Sequence, residues 1–159
     1  MTADPEGVGD RGSVVVAYDG APFARDAIDE AGRLLGPGHN AIVLTVWQRF
    51  DLGFIPSGDA KLDAADSEQV RGAAERTAAE GAALAEAAGF RSRSATLEVA
   101  PTWKGVVEFA DEHDASLIVL GSHGRTRLVD AVLGSVARDV AAHSRRTVLI
   151  AHARSTTSR

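Results

Sequence analysis

Four short, almost unbroken apolar runs constrain this chain most: SVVVAY (13–18), AIVLTVW (41–47), SLIVLG (116–121) and TVLIAH (147–152). A strand with one face in water alternates apolar and polar residues, whereas a strand covered on both faces reads as a continuous apolar run. Runs of this kind call for a sheet sandwiched between helices, and the intervening segments supply them. Pro22 opens a helix through about Leu35, with Ala24, Ala27, Ile28, Ala31 and Leu35 on one face. The GPGHN segment (36–40) ends it with glycine and proline where C-caps belong. Asp66 is placed to cap a helix from 67 to about 88, with Gln69 three residues on as its capping-box partner and Gly89 as its stop. A further strand falls at roughly 93–99, a helix follows Pro101 from Thr102 to Asp114, and another helix lies near 135–144.

The resulting order is β-α-β-α-β-α-β-α-β, which specifies an α/β fold: an open five-stranded parallel sheet with helices on both faces. Right-handed crossovers leave only a few doubly wound strand orders. Residues 48–66 lack a period and carry Gly53, Pro56 and Gly58, so a long mobile loop is expected there. Residues 1–12 and 153–159 read as flexible ends, leaving one domain at 13–152. The length of 159 residues suits one domain, since domains run roughly 100–200 residues.

Composition removes whole function classes. With no cysteine there is no disulfide, thiolate metal site or cysteine nucleophile. No apolar run reaches the roughly 18 residues of a membrane span, and MTADPEGVGDRG lacks a signal-peptide core. Lys and Arg total 17 against 22 Asp and Glu, a formal charge of −5 that argues against a broad nucleic-acid surface. A cytoplasmic protein, with no membrane or nucleic-acid partner, is the expectation.

Sheets of this class bind ligands outside the carboxyl ends of their strands, where the strand order reverses. That directs attention to Asp19-Gly20, to Val46-Trp47 and to Gly121 onward. The third of these carries the most chemistry. Gly121 ends an apolar strand, Gly124 follows three residues later, and Gly134-Ser135 opens the next helix. Glycine lets a loop bend closely around a ligand, and a helix N-terminus offers unpaired N–H groups to an anion. Ser135 adds a hydroxyl that either caps the helix or donates to a phosphate. Arg125 and Arg127 can contact phosphate oxygens bidentately. Between Gly121 and Arg138 three arginines stand against the single Asp130, a basic segment in an acidic protein. The same glycines also serve ordinary turns, so the phosphate cradle stands beside a plain loop-and-cap reading.

The spacing Gly121-x2-Gly124-x9-Gly134-Ser135 resembles the nucleotide-binding signature of the universal stress protein family, ATP-binding subgroup. The likeness runs from VVVAYDG to VLIAH, almost the whole chain. It implies a Rossmann-like sheet of the adenine nucleotide alpha hydrolase type, with strand order 3-2-1-4-5. It also implies a homodimer through the last strand (147–152). By the same resemblance the strand end Ala17-Tyr18-Asp19 contacts the nucleoside, with Asp19 near the ribose or triphosphate, and the backbone of Val46 reads adenine. Leu120, Gly121, Ser122, His123, Gly124, Arg125, Thr126 and Arg127 wrap ribose and phosphates. Gly134, Ser135, Val136 and Ala137 meet them from the helix side. The implied ligand is ATP, with Mg²⁺ on its phosphates. Two positions depart from the family habit: Ala21 where a serine is usual after Asp-Gly, and Thr45 where histidine is frequent.

Rival motifs fail on context or on missing residues. Gly36-Pro37-Gly38-His39-Asn40-Ala41 fits a dinucleotide fingerprint but precedes a strand instead of following one. There is no Gly-x4-Gly-Lys-Ser/Thr loop and no Ser-Gly-Gly-x-Asp-Ser loop. A phosphoacceptor receiver needs an acidic pair after strand one and a lysine near strand five, and the only lysines are Lys61 and Lys104. The five histidines lack metal-site spacing, and Asp111-Glu112-His113-Asp114 reads as the solvated end of a helix. The expected function is nucleotide-responsive regulation in stress adaptation, through an unidentified protein partner and without a catalytic residue. Two alternatives stand beside it: a slow ATP hydrolase or phosphotransferase, and a module for another adenine nucleotide such as cyclic AMP.

Overall fold

The first strand, β1 (Val14–Ala17), shows why this sequence layers as it does. Successive side chains of a strand point to opposite faces. Val14 and Val16 accordingly enter one core cluster and Val15 the other. The computed structural model describes residues 12–49, 64–124 and 133–152. The expected flexible ends (Gly12 aside), most of the expected 48–66 loop, and Arg125, Thr126 and Arg127 lie outside the described residues.

After β1 the chain forms α1 (Pro22–Leu35), β2 (Asn40–Trp47), α2 (Ala64–Ala87), β3 (Arg91–Glu98), α3 (Thr102–Glu112), β4 (Leu117–Gly121), α4 (Ser135–His143) and β5 (Thr147–Ala151). All strand pairs are parallel, in the order β3-β2-β1-β4-β5. β1 pairs with both β2 and β4, so the topological switch lies at its carboxyl end. On one face α1 and α2 cover Val14, Val16, Val43 and Val119 with Ala24, Ala27, Ile28, Ala31 and Ala85. On the other, α3 and α4 cover Val15, Ile42, Leu44, Ile118 and Leu120 with Val106, Phe109, Ala110, Ala137 and Val140. Each such fully buried Val, Leu or Ile contributes roughly 1.5–3 kcal/mol.

Several expected boundaries shift. α2 begins at Ala64, so Asp66 lies inside the helix and is not its cap. β3 begins at Arg91, two residues before the expected start. Gly89 ends α2 with a left-handed φ of +102°, Phe90 N–H bonds back to the Ala85 carbonyl, and the strand starts at once. Its opening residues RSRS hide the start, because an edge strand with an exposed face needs no apolar run. α3 stops at Glu112, with Asp114 at φ +46° closing the turn. Asp111 and Asp114 are also not merely solvated, since Arg146 spans them at 2.8 and 2.9 Å. None of the helices among the described residues is long and apolar enough to cross a membrane.

Candidate functional site

Three close approaches at the carboxyl end of the sheet involve glycines, the one at Gly121 too close for any Cβ, and they shape the site. At Gly121 a Cβ would sit 2.7 Å from the Phe23 carbonyl carbon, because the first turn of α1 lies directly on the end of β4. At Gly134 it would meet the Ser122 carbonyl oxygen at 3.2 Å and the His123 Cα at 3.3 Å. The Gly134 N–H also donates to that Ser122 carbonyl at 2.6 Å. The chain thus returns to within hydrogen-bonding distance of the point where it left the strand. At Gly124 a Cβ would lie 3.1 Å from Asp19 Oδ2, so the loop passes over the end of β1.

The start of α4 faces this loop. Its N-cap is Gly134, in extended conformation, and no side chain caps the helix. Ser135 is the first helical residue, which removes the capping role considered for its hydroxyl. The Gly134 carbonyl accepts from Arg138 N–H at 3.0 Å, and by helix geometry the N–H groups of Ser135, Val136 and Ala137 have no intrahelical partner. Such a terminus is a fixed partial positive charge suited to an anion.

Asp19 Oδ1 accepts the Ala21 N–H at 2.9 Å, so the carboxylate stabilises the entry to α1 where residue 21 has no hydroxyl. Thr45 is completely buried and donates to the Tyr18 carbonyl at 2.8 Å, while Tyr18 N–H donates to Leu44 at 2.9 Å. Those two bonds extend the β1–β2 ladder past Ala17 and fix the position from which Asp19 projects. Tyr18 turns its phenol the other way, donating to Glu80 Oε1 at 2.7 Å, where Arg25 also pairs. Burial, then the hydrogen bond and charge of Glu80, push the Tyr18 phenol well above its ordinary range, so it remains a neutral donor. His123 Nδ1 lies 3.0 Å from Ser122 Oγ, and its ring packs on Phe23 with centroids 5.0 Å apart.

These elements enclose a cavity of about 440 Å³, within the usual range of small-molecule sites. Ala17, Asp19, Val46, Leu120, Gly121, Ser122, His123, Gly124, Gly134, Ser135, Val136 and Ala137 all line it. Among the expected site residues only Arg125, Thr126 and Arg127 go unplaced, being outside the described residues. Ala24, Leu44, Thr102 and Val106 line it too, without having been singled out in the sequence. Thr102 follows strand three much as Asp19 follows strand one, but β3 is an edge of the sheet and not its switch point, so the switch-point rule does not single it out. Among the described residues, no three His, Asp or Glu side chains gather into a metal site. A larger depression of about 720 Å³, lined by Asn40, Arg91, Arg93 and His113, lies at the opposite, amino end of the strands.

This geometry is that of a cleft at the switch point of a doubly wound sheet, and the comparisons name the family. The Universal stress protein family profile matches residues 11–152, and the chain belongs to that family. A universal stress protein solved in complex with cAMP is 30% identical, with a TM-score of 0.62, covering 90% of this chain and 98% of that one. The universal stress protein from Archaeoglobus fulgidus in complex with dAMP is 24% identical, with a TM-score of 0.57, covering 89% and 98%. UspA from Lactobacillus plantarum is 19% identical, with a TM-score of 0.66, covering 88% and 97%, and shares the fold. A search among curated proteins gives no match.

Proposed function

We propose that the chain is an ATP-binding, nucleotide-responsive regulator that acts in stress adaptation in the cytoplasm. The observation that carries this reading is the uncapped N-terminus of α4, which Gly134 sets close against the Ser122–Gly124 loop. Phosphates seated there accept from the amides of Ser135, Val136 and Ala137. The basic loop residues Arg125 and Arg127 supply counter-charge, as the sequence suggests. The base lies toward β2, against Ala17 and the backbone of Val46, in the apolar part of the cavity. Mg²⁺ would be carried on the phosphate oxygens and would neutralise part of their charge; among the described lining residues, Asp19 and Ser135 would bond its water shell. The exposed edge of β5 (147–152 with His152) is the surface proposed for a homodimer.

Binding, not turnover, is the proposed activity. Asp19 is the carboxylate nearest the loop, and one of its oxygens is engaged in supporting α1. Equal single-turnover hydrolysis by wild type and Asp19→Ala is expected, at or near background; hydrolysis abolished by the substitution would establish the enzymatic alternative. A second reading, cyclic AMP as ligand, is favoured by the 30% identical relative solved with it. Thermal-shift competition among ATP, AMP and cyclic AMP separates the two. Replacing Gly124 and Gly134 by valine should lower ATP affinity at least about tenfold in folded protein. Unchanged affinity would overturn the proposal.

A further inference from the structure

The cavity has a third wall that the glycine signature does not predict, the first turn of α3. Gly105 brings that turn onto the end of β3: a Cβ there would clash with Val99 Cγ1 and lie 3.3 Å from Leu97 Cδ2, with Val46 Cγ1 next at 3.6 Å. Thr102 and Val106 lie on the same side of the helix, three residues before Gly105 and one after it, and both line the cavity. The neighbouring Trp103 stacks on His143 of α4 with ring centroids 4.3 Å apart, tying the turn in place. On the β2 side of the cavity the lining is Leu44, Val46, Val106 and Thr102, and Thr102 carries the one polar side chain there among the described residues. Asp19, Ser122, His123 and Ser135 all belong to the β1 and β4 side.

A purine base seated among aliphatic side chains still needs partners for its polar edge, because a desolvated amino group left unbonded costs more than a bond regained. We propose that Thr102 is a base-contacting residue whose hydroxyl accepts a hydrogen bond from the exocyclic 6-amino group of the bound adenine. This rests on the nucleotide reading above. The hydroxyl complements whatever the Val46 backbone contributes. A rotating hydroxyl would also donate to a 6-oxo purine, so inosine nucleotides are a poor test. The informative analogue is purine riboside triphosphate, which lacks the 6-amino group.

The test is a cycle of wild type and Thr102→Val against ATP and purine riboside triphosphate, read by calorimetric titration. Valine keeps the shape and removes the hydroxyl. The expected result is a three- to tenfold loss of ATP affinity, the size of one neutral hydrogen bond, with analogue affinity unchanged and Thr102→Ser restoring ATP binding. An equal loss for both ligands would assign Thr102 a merely structural role and overturn the proposal, as would no loss for either. Wild-type protein that binds neither triphosphate would overturn the nucleotide reading itself, and this assignment with it, before any variant is made.

Discussion

The two ends of the sheet make an instructive pair. The amino end holds the larger depression, about 720 Å³, lined in part by Arg91 and Arg93; the cavity at the carboxyl end holds about 440 Å³, and no described arginine lines it. Volume and side-chain charge alone would favour the amino end for an anion. Chain direction reverses that judgement. In a parallel sheet every crossover helix starts at the carboxyl end, so the free N–H groups of α3 and α4 gather there. The arginines of β3 do different work. Arg91 donates to the Gly38 carbonyl from both Nε and Nη2, at 3.2 and 2.7 Å, and an exposed edge strand gains from charges that deter pairing with other chains.

The comparison breaks most sharply by substitution at each end. Gly134→Val should cost at least about tenfold in ATP affinity, near 1.4 kcal/mol, while Arg93→Ala should leave it within about twofold. The opposite ranking in a binding titration would move the site to the amino end.

Next in size is Thr45→Val, which leaves the buried Tyr18 carbonyl without its side-chain donor. A loss of about 1–3 kcal/mol of stability is expected, with a parallel weakening of ATP binding as the end of β1 loosens. Denaturant unfolding together with titration checks both. An equal destabilisation from Ser92→Ala, which removes a bond to Ala82 on the amino half of β3, would show that the carboxyl end has no special rigidity.

The smallest effect belongs to Tyr18→Phe, about 0.5–1.5 kcal/mol through the lost bond to Glu80. It carries a pH signature. The unfolded phenol ionises near pH 10, and the folded one is held protonated well above that. Its contribution is therefore complete below about pH 10 and is lost as pH rises beyond it. Melting temperatures measured above pH 10 should fall more steeply for wild type than for Tyr18→Phe. Parallel curves would remove Tyr18 as the source.

How far the sequence reveals all this depends on what each residue answers to. β1, β2 and β4 are legible because strands buried among helices must be apolar throughout; β5, though an edge strand, keeps the apolar run TVLIA and is legible with them. RSRSATLE is not, because an edge strand exposed on one face can be polar, and its start is misplaced for that reason. Asp66 misleads because its spacing to Gln69 imitates a cap, while α2 has already begun at Ala64. In the site, Gly121, Gly124 and Gly134 are legible by their spacing; the approach at Gly121 leaves no room for a Cβ, and those at Gly124 and Gly134 leave little. Thr102 and Val106 carry no such mark. Their spacing is that of any amphipathic helix, and they reach the cavity only because Gly105 lets α3 settle on Leu97 and Val46.

The central claim is that an adenine nucleotide is held at the carboxyl end by the free amides of α4. Amide NMR of ¹⁵N-labelled protein titrated with ATP tests it most directly. The account predicts large, saturable shifts at Ser135, Val136, Ala137 and Gly124, with Ser13, Arg91 and Ser92 unmoved. Shifts confined to the amino end, or none anywhere at saturating ATP, would contradict it.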